Sequence, residues 1–235
     1  MLSSIYRTDI LPPSVISVVQ NEALLEHLRK FISPDIMPLS AFNNTKARDS
    51  DWHAVKAIFI EAGMASHLDD SLEIIKQVRT VNQRACIFVL VTHPNAISSV
   101  DYHIAGADYC IKLPGNAQDK TSVLVRTLNE SCWNHAPLQL RLDRTKLHLC
   151  SATSTLELTH TEMMIIDTLL RAPHQVMSYE HIVKALAATI VFYDPRALEK
   201  AISRLRTKIK NAHQLKLIFS VRSFGYRLRR SSVYG

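Results

Sequence analysis

Short runs of β-favouring apolar residues alternate along the first half of this chain with segments of helical spacing, and that alternation is its tightest constraint. Ser14 to Val19 reads SVISVV, Ala57 to Ile60 reads AIFI, and Ala85 to Val91 reads ACIFVLV. Between them, Leu24, Leu25, Leu28 and Ile32 share one helical face, and Leu68, Leu72, Ile75 and Val78 share another. A weaker strand is expected over Ile36 to Phe42, and a polar loop over Asn43 to Asp51, before a strand from His53 to Ile60. A helix over Asn95 to Ala105 closes at Gly106, a short strand follows at Tyr109 to Ile111, and Gln118 to Trp133 carries Val123, Leu124, Leu128 and Cys132 on one face. Strands alternating with helices predict a doubly wound parallel sheet, a (βα)5 arrangement of flavodoxin-like type.

In such a sheet the residues just after the strands converge on one edge, where ligands and chemistry gather. Here they are Gln20 and Asn21, Glu61, Thr92 and Lys112. Glu61, directly after AIFI, reads in two ways: an acid with work to do, or a polar residue where a strand meets water.

The second half changes character. Residues 1–134 hold 12 Lys and Arg against 14 Asp and Glu, whereas residues 135–235 hold 16 against 7, a net charge of +9. A basic domain beside a near-neutral one points to a polyanionic partner. LQLRLDRTKLHLC and STLEL alternate apolar with polar residues, as short antiparallel strands do. Thr159 and Glu162 have capping-box spacing at the head of a helix, with Met163, Ile166, Leu169 and Leu170 inward and Pro173 ending it. Ser178 is expected to cap a second helix through Leu186. A third begins near Pro195, its buried face Leu198, Ile202, Leu205 and Ile209. Its other face carries Arg196, Lys200, Ser203, Arg204, Thr207 and Lys208, and Arg196, Lys200 and Arg204, four apart, form one basic row that fits a DNA major groove. Leu215 to Val221 and Tyr226 to Arg229 read as a hairpin whose tip, Arg222 to Gly225, uses Gly225 for a positive φ.

The four cysteines, Cys86, Cys110, Cys132 and Cys150, form no C-x-x-C pair and lack a His at zinc spacing, so reduced structural thiols are expected. No apolar run reaches the ~18 residues of a membrane span, and the chain reads as soluble and cytosolic. No nucleophile–base set, metal-ligand cluster or phosphate-binding glycine loop is found, so no enzyme and no cofactor are expected.

VVQNEALL, IFIE, VLVTH and AGADYCIKLP resemble, in order, the strand ends and the switch aromatic of a bacterial receiver domain. LTHTE, SYEHI, RALEKAISRLRTKIK and SVRSFGYRL resemble the winged helix-turn-helix effector domain of the OmpR/PhoB response regulators. The resemblance implies an N-terminal extension over 1–13, a receiver-like domain over 14–134 and a winged-helix domain with flanking antiparallel strands over 135–235. It implies a bacterial, cytoplasmic transcription regulator that binds double-stranded promoter repeats as a homodimer and contacts RNA polymerase, through Ala187 to Asp194 if that segment is exposed. Carried over by position, Arg196 contacts a phosphate, Arg204 reads a base edge, and Lys200, Ser203, Arg206, Thr207, Lys208 and Ser220 lie on or beside the reading face. Arg222 is the wing arginine that enters the minor groove, Tyr109 the switch aromatic, and Asp108 and Arg126 a pair at the dimer face.

The departures from the family's pattern carry the most information. Gln20 and Asn21 stand where the family has an acidic pair that holds Mg²⁺, and Glu61 stands for the acceptor Asp. Neutral amides are poor Mg²⁺ ligands, and phosphoryl transfer needs both metal and in-line carboxylate. The expectation is a degenerate phosphorylation site, in which Glu61 either holds Lys112 and Thr92 as a built-in anion or is merely solvated. Two alternatives stay open: a conventional switch with another acceptor and a histidine kinase partner, and an interaction module that sequesters another regulator.

Overall fold

The computed structural model describes residues 14–32, 36–39, 49–62, 68–92, 98–131, 133, 138–187 and 196–235. The N-terminal extension and all but the first residue of the segment expected to touch RNA polymerase lie outside them.

The N-terminal unit is a five-stranded parallel sheet in the order β2-β1-β3-β4-β5. Its strands are β1 (Val15–Val18), β2 (Met37–Pro38), β3 (Ala57–Ala62), β4 (Cys86–Val91) and β5 (Tyr109–Lys112), and its helices α1 (Glu22–Phe31), α2 (Asp49–Ala54), α3 (Leu68–Val81), α4 (Ser99–Ala105) and α5 (Ala117–Glu130). Side chains that alternate along a strand divide between the two faces. Ile58, Ile60, Ile87 and Val89 pack with Ile75 and Val78 of α3 and Tyr102 of α4, while Phe59, Phe88 and Leu90 pack with Leu24 and Leu28 of α1 and Leu124 of α5. Both faces are therefore covered, which is why these strands are continuous apolar runs. Each buried Ile, Leu or Phe contributes about 1.5–3 kcal/mol of transfer free energy.

Three local expectations are corrected. Asp49 to Ala54 is a helix, not the end of a loop and the start of a strand; β3 begins only at Ala57, in register with Val15 and Cys86. Asn82 fixes this junction, its side-chain amide donating to the carbonyls of Trp52 and Val55. The strand expected over Ile36 to Phe42 is reduced, within the described residues, to Met37 and Pro38 beside Ile16 and Ser17. The fourth helix starts at Ser99, with the Ser98 hydroxyl accepting from Val100 N–H, and closes at Gly106 with φ 115°.

The C-terminal unit opens with β6 (Leu140–Asp143), β7 (His148–Cys150) and β8 (Thr155–Glu157), an antiparallel meander. Then come α6 (His160–Arg171), β9 (Val176–Ser178), α7 (Tyr179–Leu186), α8 (Arg196–His213), β10 (Ile218–Val221), β11 (Gly225–Leu228) and β12 (Val233–Tyr234). β10, β11 and β9 form one sheet, and β12 closes the meander by pairing parallel with β6. Leu198, Ile202, Leu205 and Ile209 of α8 are wholly buried against Ile165, Ile166 and Leu169 of α6 and Ile182 of α7. This is a winged helix-turn-helix domain with flanking strands.

The capping box at α6 is complete. Glu162 N–H donates to Thr159 Oγ1 at 3.2 Å, and Thr159 N–H donates to Glu162 Oε2 at 2.8 Å. Replacing Thr159 by Ala is expected to lower unfolding free energy by about 1 kcal/mol, read by urea denaturation.

Candidate functional site

The surface of α8 that its apolar face leaves outward holds Arg196, Lys200, Ser203, Arg204 and Thr207, all exposed. Residues four apart on a helix stack along one side, so Arg196, Lys200 and Arg204 make a single cationic row. The Thr207 hydroxyl donates to Ser203 O at 3.2 Å, which points its acceptor lone pairs outward. Row and hydroxyls have the chemistry for phosphate oxygens and base edges.

Two basic residues expected beside this row have partners inside the domain. Lys208 Nζ lies 2.8 Å from Glu162 Oε2, the carboxylate that completes the α6 cap. Burial pushes the Glu162 carboxyl up, but the Lys208 ammonium and the Thr159 N–H outweigh it and hold it below the usual carboxylate range. Lys208 thus braces α8 against the head of α6. Arg206 turns to the wing: its guanidinium donates to Ile218 O at 3.0 Å and Ser220 Oγ at 2.9 Å and stands over the Tyr226 ring at 5.5 Å. Arg206 and Ser220 together set the wing's position on α8.

The wing tip exposes Arg222. Its left-handed residue is Ser223, with φ 60°, and not Gly225. Gly225 is required for a different reason: a Cβ there would collide with the Met177 carbonyl and lie 2.7 Å from Tyr179 N, where β9 hands over to α7. Glycine here permits close approach of two backbones.

At the carboxyl edge of the parallel sheet, Glu61 is still within β3, paired in register with Leu90. Its Oε2 accepts two backbone N–H groups, from Gln20 and Asn21, each at 2.9 Å. Asn21 is the N-cap of α1, its Oδ1 accepting from Leu24 N–H at 3.1 Å. The Glu61 carboxylate therefore sits at the amino end of α1, where unsatisfied N–H groups and the helix dipole favour an anion. The Thr92 hydroxyl donates to Ala62 O at 3.4 Å, and Lys112 is exposed; among the described residues no ion pair joins Lys112 to Glu61. The donor set does not fit the Mg²⁺ that a receiver-like edge implies. Two positions are neutral amides, one already serving as a helix cap, and the remaining carboxylate is turned onto backbone N–H groups.

Within the chain, Asp108 is paired with groups other than the expected Arg126. Asp108 is buried, accepting from Ile87 N–H at 2.9 Å and from Arg79 at 2.7 Å through Oδ2, and from Arg230 at 2.8 Å through Oδ1. Arg126 lies exposed on α5. Burial favours the protonated Asp108, but Arg230, Arg79 and Arg227 together outweigh it and hold the carboxyl well below the usual range. Arg79, only 2% exposed, also donates to the carbonyls of Gly106 and Ala85.

Arg230 belongs to the C-terminal unit, so this cluster joins the two units. Arg230 also donates to Gly106 O at 3.1 Å, Arg229 to Glu130 O at 3.1 Å, and Lys216 pairs with Glu130 at 3.1 Å. The Tyr109 ring stacks on Phe88 at 5.1 Å and meets Phe219 edge-on at 6.0 Å. Arg227 lies 4.9 Å from the Tyr109 centroid and 4.2 Å from that of Phe219. Burial, above all, pushes the Tyr109 phenol up to about 12. The arginines at 227, 229 and 230 carried no spacing signal in the sequence; they lay within a uniformly basic half.

The domain family described as "Transcriptional regulatory protein, C terminal" matches residues 153–228. The chain is 26% identical to the transcriptional regulatory protein AfsQ1 of Streptomyces coelicolor, over 68% of this chain and 72% of that one. It is 24% identical to the transcriptional regulatory protein PhoP of Escherichia coli, over 89% of this chain and 96% of that one. Among solved structures, the C-terminal domain of the nisin resistance regulator NsrR is 34% identical, covering 38% of this chain and 90% of that domain, with a TM-score of 0.34. No helix among the described residues is long and apolar enough to cross a membrane.

Proposed function

Since the chain belongs to the OmpR/PhoB-like response regulators with a winged-helix C-terminal domain, and so is a DNA-binding transcriptional regulator of that type, we propose that it binds specific promoter repeats as a dimer without being phosphorylated. The observation that carries this reading is the fixed place of Glu61: its carboxylate accepts the N–H groups of Gln20 and Asn21, and no acidic pair stands beside it. A carboxylate held at a helix amino terminus supplies permanently the kind of anion that a phosphorylated receiver acquires only after modification. Lys112 and Thr92 take no direct part in holding it; the charge acts through the start of α1.

On this reading Arg204 reads a base edge, Arg196 and Lys200 contact phosphates, and Arg222 enters the minor groove from the wing. Arg206, Ser220 and Lys208 act one step behind them by fixing wing and helix in place. RNA polymerase is the partner expected of a regulator of this kind.

Incubation with acetyl phosphate and Mg²⁺, followed by intact mass measurement, tests the phosphate-independent part. No stable gain of a phosphoryl group is expected. A gain of one would sink the idea and favour the conventional switch.

A further inference from the structure

The seam between the two units meets one end of the wing hairpin, and the DNA-facing groups lie at the other. Among the described residues, the effector side chains that bond the receiver across the seam, Lys216, Arg229 and Arg230, flank the hairpin base: Lys216 precedes β10, and Arg229 and Arg230 follow β11. Arg222 is at the tip, on the far side of four strand residues, about 13 Å at ~3.3 Å per residue. Arg204 and Arg222 are exposed while the seam is closed. The base itself is committed: the Arg227 guanidinium lies over both the Tyr109 and the Phe219 ring, and Arg230 ties Asp108 to the Gly106 and His174 carbonyls.

We propose that the closed arrangement, with the hairpin base docked on the chain's own receiver through Asp108, Tyr109 and Glu130, is itself the DNA-binding form. The receiver does not mask the reading surface; it braces the base of the wing so that the tip is presented in one orientation. This rests on the DNA-binding reading above and concerns how that same surface is regulated: opening the seam brings no gain in affinity.

The seam's chemistry allows the two units to be parted without unfolding the receiver. Asp108 Oδ2 keeps Arg79 and Ile87 N–H when Arg230 is removed, so the carboxylate stays paired. Glu130 and Lys216 are both about half exposed and meet at the tips of their long side chains, so cysteines at the two positions suit a bridge by a flexible bis-maleimide rather than a direct disulfide.

The test uses the full chain and a duplex that the wild-type protein selects from a randomised pool, with an unrelated duplex as control. In one arm, Glu130→Cys and Lys216→Cys are combined, and affinity is compared before and after crosslinking with a flexible bis-maleimide, with wild type and each single variant treated alike as background. In the other arm, Arg230→Gln is compared with wild type by X-ray scattering and by affinity. The expected results are a crosslink that forms in the double variant alone, affinity within twofold of the uncrosslinked protein, and an Arg230→Gln protein with a larger radius of gyration and no gain in affinity. A tenfold loss on closing, or a tenfold gain with Arg230→Gln, overturns the proposal and makes the seam a mask. Thiols that react singly but never bridge, with wild-type scattering that matches separated units, also overturn it. A wild-type protein that selects no duplex sinks the DNA-binding reading itself, and the bridge and the scattering then report on the seam alone.

Discussion

Replacing Asp108 by alanine is expected to lower unfolding free energy by about 3–5 kcal/mol, the cost of leaving buried charge without its partner. Arg79 is enclosed and Arg230 nearly so, and both point at this carboxylate. Asp108→Asn should cost less, because the amide oxygen still accepts. Urea denaturation of the full chain reads both, and a loss below about 1 kcal/mol for alanine would show that the cluster relaxes freely. Acid gives a second readout. Burial raises the Asp108 carboxyl, but three arginines and the Ile87 N–H hold it well below its usual range. A depressed carboxylate contributes fully above its unfolded value of ~3.9 and loses that contribution as pH falls through the folded value. The stability gap between wild type and Asp108→Asn should therefore be constant near neutrality and narrow below about pH 4.

The second large effect falls on DNA. Arg204→Ala is expected to weaken binding to the selected duplex by about 1–3 kcal/mol, and binding to unrelated duplex much less, because a lost base contact is felt only where the base is right. Arg222→Ala should weaken both more evenly and reduce the slope of log affinity against log salt by about one. Both side chains are exposed, so folding should be unaffected. Fluorescence anisotropy from low to physiological salt separates the two. Unchanged affinity of Arg204→Ala for the selected duplex would remove it from base reading.

Where an element buried an apolar face, the sequence announced it. β3, β4, α1 and the inward side of α8 follow directly from runs or spacings of Ile, Leu, Val and Phe, and Thr159 with Glu162 marked the head of α6. Short elements without an apolar period were silent. The helix Asp49–Ala54 is short and polar, and its junction is fixed by Asn82, nearly thirty residues away. β12 is two residues long and pairs with a strand from the start of the domain. In the candidate site, the row on α8 was legible because its period is helical. The internal duties of Lys208 and Arg206 were not, since a cation that caps or braces has the same letter as one that faces solvent. Asp108 was read as a surface pairing group; its real partners come from α3 and from the far C-terminal end, separations that no local pattern encodes.

The arrangement at Gln20, Asn21 and Glu61 also bears on reversibility. A route from this edge to one that holds a divalent cation needs new acids at 20 and 21 and a shorter one at 61. Asp at 21 would still cap α1, so that step keeps the start of the helix. Any acid at 20 or 21 added first, however, would face the existing Glu61 carboxylate with no metal to offset the repulsion. Shortening Glu61 first would withdraw the anion from two backbone N–H groups before anything replaced it. Each single step is uphill, and the present site is a local trap in sequence space.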